Sequence, residues 1–502
     1  MTQFVRSPVN TGAGLSLGMA VRALLRRAID TYRDDAQAAE WLQHHLTRFD
    51  EPLRLAIAGK VKAGKSTLLN ALVGEDLAPT DAGECTRLVT WYQDGHAPSV
   101  TMFPLHGGTP RPLRIHRGAH GLRIDLNGTP TDAVERLVVT WPSTSLRATT
   151  LIDTPGIGSL SVDTSARTTQ FLTPEDSPTA ADAVLYLMRH LHATDVGFLE
   201  SFHDQGVARA APVNTIAVLS RADEIGVGRI DALLSARRIA ARYRSDDKLR
   251  GLCQTVVAVA GLLAHTGRTM RQNEYLALAA LAAMPAAELE PLLLSTDRFV
   301  RPDRPSSPTP EMRAHLLDRF GMFGLRLSTM LIHQGVADPG QLATELVRRS
   351  GLDELRQVLA AQFTERRDLL KARSALIAID LVLRREPRPS AAPIAADVER
   401  ILAGAHEFAE LQLLSDLRGR VLKPPREQVD EAERLLGGDG GSPYRRLGLE
   451  PGADPEAMRA AALDALGRWR RRAESPLSTR AIADAARVVV RSCEGILAAL
   501  PR

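Results

Sequence analysis

Between Leu17 and Leu46 apolar residues recur at three- and four-residue steps: Leu17, Val21, Leu24, Ile29, Tyr32, Ala36, Ala39, Leu42 and Leu46. That spacing puts them on one stripe of an amphipathic helix, predicted over residues 17–48. Pro52 ends the pattern, and Leu53-Arg-Leu-Ala-Ile-Ala58 follows as a short, nearly continuous apolar run of the kind a covered strand needs. From there to about residue 261 short apolar runs alternate with longer helical ones. Strands are predicted at Leu88–Gln93, Ser99–Phe103, Gly121–Leu126, Arg136–Trp141, Thr149–Asp153, Ala183–Met188, Thr215–Leu219 and Thr255–Val259, punctuated by Gly, Pro and Asp. Strands alternating with helices such as Arg229–Tyr243 imply a largely parallel sheet covered on both faces.

Beyond residue 261 the texture is helical. A Pro/Ser-rich stretch at Arg301–Pro310 reads as an exposed loop, and helices are expected over 312–384, 393–418 and 427–436. Pro387, Pro389 and Pro393 separate the first two, Pro424-Pro425 precede the third, and Gly437–Gly441 reads as a flexible linker. Residues 443–502 read as a last compact unit of about three helices.

With 502 residues and 44% hydrophobic content, two to four domains with real cores are expected. A net charge of +4 is small for this length and gives no reason to expect nucleic-acid binding. Cys85, Cys253 and Cys493 are far apart in sequence and lack metal-ligand spacing, which suits a reducing cytosol. No signal sequence is expected at the N-terminus, and no run reaches the roughly 18–20 apolar residues of a spanning helix. A peripheral place at a membrane surface stays open. One count changes the picture. Of 63 basic residues only six are Lys, and three of these, Lys60, Lys62 and Lys65, stand within six residues of each other. A chain that otherwise uses Arg has kept compact ammonium groups there.

That spot is Gly59-Lys-Val-Lys-Ala-Gly-Lys-Ser66, a full G-x-x-x-x-G-K-[ST] match between an apolar strand and the helix opening at Thr67. Glycines Gly59 and Gly64 let backbone N–H groups wrap a β-phosphate, Lys65 would bridge the β- and γ-phosphates, and Ser66 would offer its hydroxyl to Mg²⁺. Asp153-Thr-Pro-Gly156 ends a second strand: Asp153 is placed to hold the metal through water, and Gly156 to give an N–H to the γ-phosphate. In Gly83-Glu-Cys-Thr86, Thr86 is the candidate to close over the γ-phosphate and ligate Mg²⁺. Thr80 and Thr90 lie nearby, and a capping role would also account for a Thr at a strand start. Leu219-Ser-Arg-Ala-Asp223 ends a further strand. The carboxylate of Asp223 would accept from both guanine N–H groups, with Arg221 laid flat against the base; a helix cap is the alternative for Asp223. Val257–Gly261 is a weaker candidate for the last loop over the base.

The run from Gly59 through Val73-Gly74, followed by Pro79-Thr-Asp-Ala-Gly-Glu-Cys-Thr86, resembles the dynamin-like GTPases of bacteria, and within them the isoniazid-inducible dynamin-like proteins of actinobacteria. Ser350-Gly-Leu-Asp-Glu-Leu355 resembles the segment that closes such a GTPase domain and leads into a helical neck. The resemblance implies GTP/GDP and Mg²⁺ as ligands, dimerisation across the nucleotide face and work on membranes, at anionic lipid or beside a dynamin-like paralogue. It implies an N-terminal bundle helix over 1–49, a GTPase domain over 50–370, and a neck and linker over 371–442, beyond which residues 443–502 read as the separate small helical unit. The position of Lys62 is usually Ser in eukaryotic dynamins, where a monovalent cation helps neutralise the transition state. Lys62 is therefore a candidate built-in charge, against the alternative of a solvent-facing Lys. Val61 replaces a polar position and cannot orient water.

Pro443-Tyr-Arg-Arg-Leu-Gly-Leu449 resembles the opening of J-domains, but the His-Pro-Asp tripeptide is absent, so no chaperone stimulation is expected. Trp469-Arg-Arg-Arg472 reads either as a helix with Trp469 packed inward or as a contact for acidic headgroups.

Overall fold

The computed structural model describes residues 16–79, 88–105, 107–118, 121–156, 180–201, 214–301, 308–418, 422 and 424–501. Thr86, with Thr80 and Cys85, lies outside them. The expected first helix is two, α1 (Leu17–Thr31) and α2 (Ala36–Arg48). The Asp35 carboxylate accepts from Ala38 N and starts a new helix, while Tyr32 Oη donates to Glu386 O at 2.8 Å. The hydrophobic period survives the break because both helices bury the same stripe against the same neighbours.

The strands are β1 (Leu53–Gly59), β2 (Val89–Asp94), β3 (Ser99–Pro104), β4 (Arg111–Leu113), β5 (Ile115–Gly118), β6 (Gly121–Ile124), β7 (Val134–Trp141), β8 (Thr149–Asp153), β9 (Ala183–Met188), β10 (Thr215–Ser220) and β11 (Val256–Val259). Nine of them, among the described residues, form one sheet in the order β11-β10-β9-β1-β8-β2-β7-β3-β4, and β5–β6 form a separate ribbon. Pairing is parallel from β8 through β1, β9 and β10 to β11, and between β2 and β7. It is antiparallel for β2–β8, β3–β7 and β3–β4. The sheet is therefore mostly parallel. The short β4 and β5 carry too few apolar residues to have been read from the sequence.

Every residue of β1 is buried. Leu53, Leu55 and Ile57 enter one core with α3 (Lys65–Val73), whereas Ala56 and Ala58 enter another with α4 (Ala193–Ser201), α5 (Ala232–Arg244), α6 (Gly261–Thr269), α7 (Gln272–Ala282), α8 (Pro310–His333) and α9 (Pro339–Ser350). Period-two alternation thus feeds both faces of a central strand. Helix α8 is kinked at Gly321 (φ 61°).

Past α9, Gly351 (φ 84°) turns the chain so tightly against β11 that a Cβ there would lie 2.1 Å from Ala258 O. Helix α10 (Leu352–Leu359) runs into a π-helical turn, Ala360–Thr364, and then α11 (Arg367–Arg385). The chain continues with α12 (Ala392–Gly404), α13 (His406–Arg418), α14 (Arg426–Leu435), α15 (Pro455–Glu474) and α16 (Arg480–Ala499). These helices share a single buried cluster with α1 and α2. Trp469 is buried in it and donates to Glu431 at 3.0 Å, with Arg472 stacked on its ring.

Gly437–Gly441 is not a flexible linker. Gln362 Nε2 donates to Gly438 O at 2.7 Å, Arg366 donates to Gly437 O, and the Glu365 carboxylate accepts from Gly441 N at 3.0 Å. A Cβ on Gly438 would meet Glu433 O at 2.7 Å. The glycines permit close packing against the π turn, and the clamp removes the mobility that composition suggested. A second joint is buried at the base of the sheet. Asp182 accepts from Arg48 at 2.6 Å and from Arg54 N at 2.9 Å, with Lys371 Nζ 3.9 Å away.

Candidate nucleotide site

The loop after β1 is shaped by its backbone. Gly59 has φ 145°, and a Cβ would stand 2.4 Å from Leu187 O on β9, so only glycine fits. Lys62 occupies the left-handed region at φ 62°. Gly64 (φ 92°) caps α3, and a Cβ placed on it would meet nothing within 4 Å. That open side, at a helix N-terminus, is where anionic oxygens can approach.

Lys65 Nζ folds back on the loop, donating to Gly59 O at 3.2 Å and Lys60 O at 3.4 Å. Burial pulls its pKa below the ordinary lysine value, against the opposing pull of Asp153. Ser66 Oγ donates to Asp153 Oδ2 at 2.8 Å. Parallel pairing of Ile57 with Asp153 brings that carboxylate beside the loop. Burial raises the pKa of Asp153, and Lys65 and Ser66 only partly counter it. Its Oδ1 is buried with no hydrogen-bond partner. A hydroxyl and a carboxylate with one unmatched oxygen fit a hard divalent cation held by few protein ligands and several waters. Among the described residues no group of three or more His, Cys, Asp or Glu is placed to hold a metal ion, so a side-chain cage is not on offer.

Thr154 Oγ1 donates to Ile57 O at 2.9 Å, pinning the turn after β8. Gly156 then abuts the loop: a Cβ there would lie 2.5 Å from Val61 Cγ2 and 2.9 Å from Val61 Cα. Thr90, one alternative to Thr86, is buried and pairs with Asp153 across the β2–β8 ladder.

Beside the loop lies a cavity of about 150 Å³ walled by Gly64, Thr67, Leu68, Arg221, Asp223 and Gly261. The ends of β1, β10 and β11 meet there, so the parallel sheet assembles segments 200 residues apart in sequence. Asp223 sits in a 3₁₀ turn after β10, mostly buried, and burial is the main cause of its raised pKa. Arg221 has φ 52° and pairs with Glu224, which also pairs with Arg189 at 2.7 Å. Lys62 is exposed on the loop and makes no ion pair with a described residue. Sequence reading missed Asp195, which receives Lys60 Nζ at 3.1 Å. Only the Lys60 side of that pair left a trace in the sequence, as part of the lysine cluster.

Strand, phosphate-type loop and helix, with an acid closing the neighbouring strand, define a P-loop nucleoside triphosphatase. The profile described as "Dynamin family" matches residues 55–220. The chain is 43% identical over 491 residues to the isoniazid-induced protein IniC of Mycobacterium tuberculosis, covering 96% of this chain and 99% of that protein. It is 31% identical over 166 residues to the bacterial dynamin-like protein of Nostoc punctiforme, covering 30% of this chain and 22% of that one. Among solved structures, an oligomerised bacterial dynamin pair aligns over 96% of this chain and 79% of that one at a TM-score of 0.32 and 14% identity. The chain belongs to the dynamin family and is a GTPase.

Proposed function

We propose that the loop Gly59–Ser66, Asp153 and Asp223 bind GTP with Mg²⁺ and hydrolyse it to GDP and phosphate, coupled to self-association at the cytoplasmic membrane surface. Bound Mg²⁺ would supply charge neutralisation at the β- and γ-phosphate oxygens. The observation that carries the site reading is the Ser66–Asp153 pair with its unmatched Oδ1 beside the open face of Gly64.

In this reading Lys65 exchanges the carbonyls of Gly59 and Lys60 for the β- and γ-phosphates. Ser66 and Asp153 would hold the metal, and Thr86, outside the described residues, is the further candidate ligand. Gly156 donates its N–H to the γ-phosphate. Thr67 borders the nucleotide, Asp223 reads guanine and Arg221 covers its face. Lys62, exposed and without an ion pair among the described residues, supplies positive charge to the transition state in place of a monovalent cation. The domain division is a bundle helix at 1–49, a GTPase domain at 50–370, a neck at 371–442 and a helical unit at 443–502, the last sharing its core with the neck.

Self-association draws support from a rigid apolar rim four residues past Asp223. Val227 is 92% exposed at φ 62°, and Ile230 and Leu294 are also exposed. Arg326 holds this rim, donating to Gly228 O at 2.7 Å and to Leu293 O at 2.7 Å. The membrane contact in this reading is peripheral; among the described residues no helix is long and apolar enough to cross a membrane.

The test is GTP turnover across a protein concentration series, with and without anionic liposomes. Specific activity should rise with both. Slow, concentration-independent turnover would replace this reading with a GTP-controlled scaffold acting beside a paralogue. Asp223→Asn should shift preference from guanine to xanthine nucleotides, and turnover strongly dependent on K⁺ over choline would remove Lys62 from the mechanism.

A further inference from the structure

The phosphate loop is tied down from a side the nucleotide does not touch. Asp195 stands in the first turn of α4 and is 1% exposed. Its Oδ1 accepts from Tyr186 Oη at 2.7 Å, and its Oδ2 accepts from His192 N at 3.0 Å and from Lys60 Nζ at 3.1 Å. The Tyr186 ring is itself fixed, fully buried and stacked on Phe198 with ring centroids 5.1 Å apart. The carboxylate therefore cannot follow Lys60 if the loop moves; Lys60 must follow the carboxylate.

What Lys60 controls is specific. Its carbonyl oxygen accepts from Ala63 N at 3.1 Å, closing the turn of the loop, and from Lys65 Nζ at 3.4 Å. One residue back, Gly59 is wedged against Leu187 of β9, one residue beyond Tyr186 on the same strand. Strand β9 and the helix that follows it thus hold both residues whose carbonyls receive Lys65. We propose that Asp195 is a positioning residue of the GTPase, acting through Lys60 to set the phosphate loop in the shape that receives the β-phosphate. An ion pair with a buried, triply bonded carboxylate is stiffer than one in water, because its partner has no alternative solvation to move to. This rests on reading Gly59–Ser66 as the phosphate loop.

The experiment is titration of the full chain with fluorescent GDP in Mg²⁺, together with GTP kinetics and thermal melts. Lys60→Met leaves the buried Asp195 carboxylate without its cation, so the melting temperature should fall, and affinities are compared at a temperature where every variant is folded. Loss of one charge-assisted bond should weaken GDP and raise KM for GTP about tenfold while kcat at saturation holds. Asp195→Asn should weaken GDP to the same degree, the double variant should be no weaker than the worse single one, and Lys60→Arg should restore binding. Tyr186→Phe removes one of the bonds that fix the carboxylate and should weaken GDP binding in the same direction, by less than Asp195→Asn.

Wild-type GDP affinity in Lys60→Met overturns the proposal. So does an Asp195→Asn variant that binds GDP normally while Lys60→Met does not, since Lys60 would then touch phosphate directly. Additive losses would show two separate roles and overturn it as well. Lys65→Ala separates the two layers. If it still binds GDP, the loop reading itself has failed; if it loses GDP while Lys60→Met does not, only the positioning role has.

Discussion

Gly156→Ala adds one methyl group at the place where the turn after β8 meets the phosphate loop. The new Cβ would lie 2.5 Å from Val61 Cγ2, 2.9 Å from Val61 Cα and 3.0 Å from Val61 N. Non-bonded carbons settle at about 3.5–4.0 Å, so the shortest contact is too close by roughly 1 Å. Rotating the Val61 side chain relieves only the first contact, because the other two atoms belong to the main chain. Either the loop or the turn must shift by several tenths of an ångström. Overpacking of this kind costs about 1–3 kcal/mol. If that cost falls on the nucleotide-bound form, affinity drops about 5- to 150-fold. The assay is GDP affinity and GTP kcat/KM for Gly156→Ala, Val61→Ala and the double variant, each with a thermal melt. Gly156→Ala should lose one to two orders of magnitude in kcat/KM, and Val61→Ala should rescue it only in part. Turnover within twofold of wild type would refute the rigid opposition of the two segments. Full rescue by Val61→Ala would show that only the side-chain contact matters.

Three further outcomes follow from buried groups. Native Asp153 holds a proton more tightly than the unfolded chain, because burial raises its pKa. Unfolding free energy therefore falls as pH rises from the ordinary carboxylate value through the raised one, and the cost persists at neutral pH. Asp153→Asn should raise the melting temperature of the nucleotide-free protein while abolishing Mg²⁺-dependent hydrolysis; a lowered melting temperature would contradict the first part. Lys371 is displaced the other way: burial lowers its pKa from 10.5 to about 8, with Asp182 opposing. The native state sheds that proton first, so this group's contribution to stability increases with pH between about 8 and 10.5. Urea unfolding at several pH values should show that rise in the wild type and a flatter profile in Lys371→Met. Gln362→Ala removes the buried bond to Gly438 O at the π turn and should cost about 1–3 kcal/mol in stability. Urea unfolding measures that loss, and an unchanged midpoint would mean that the glycine run does not depend on the clamp.

Much of the fold was legible because its signals are local. The covered strand Leu53–Gly59 is apolar but for Arg54 since both its faces are buried, and that leaves a nearly continuous run in the sequence. The phosphate loop announces itself because its geometry demands particular residues at fixed spacing: glycine where φ is positive and a Cβ would lie 2.4 Å from Leu187 O, then Lys and Ser on the next helix. Asp153, Gly156, Arg221 and Asp223 could be named from the ends of apolar runs, since parallel strands deliver their C-terminal ends to one edge.

What the sequence could not carry is whatever depends on which segments meet. Residues 17–48 held one hydrophobic period, yet Asp35 caps a second helix and Tyr32 reaches Glu386, 354 residues on. Composition made Gly437–Gly441 flexible. The fold made it rigid, because side chains of the π turn some 75 residues earlier supply the hydrogen-bond partners its backbone needs. Asp195 has no sequence signature at all. A lone Asp at a helix start reads as a cap, and only the turn from β9 into α4, with β9 paired to β1, brings it to Lys60. Local stereochemistry and periodicity are written residue by residue. Long-range charge pairing and close packing exist only once the chain has closed on itself.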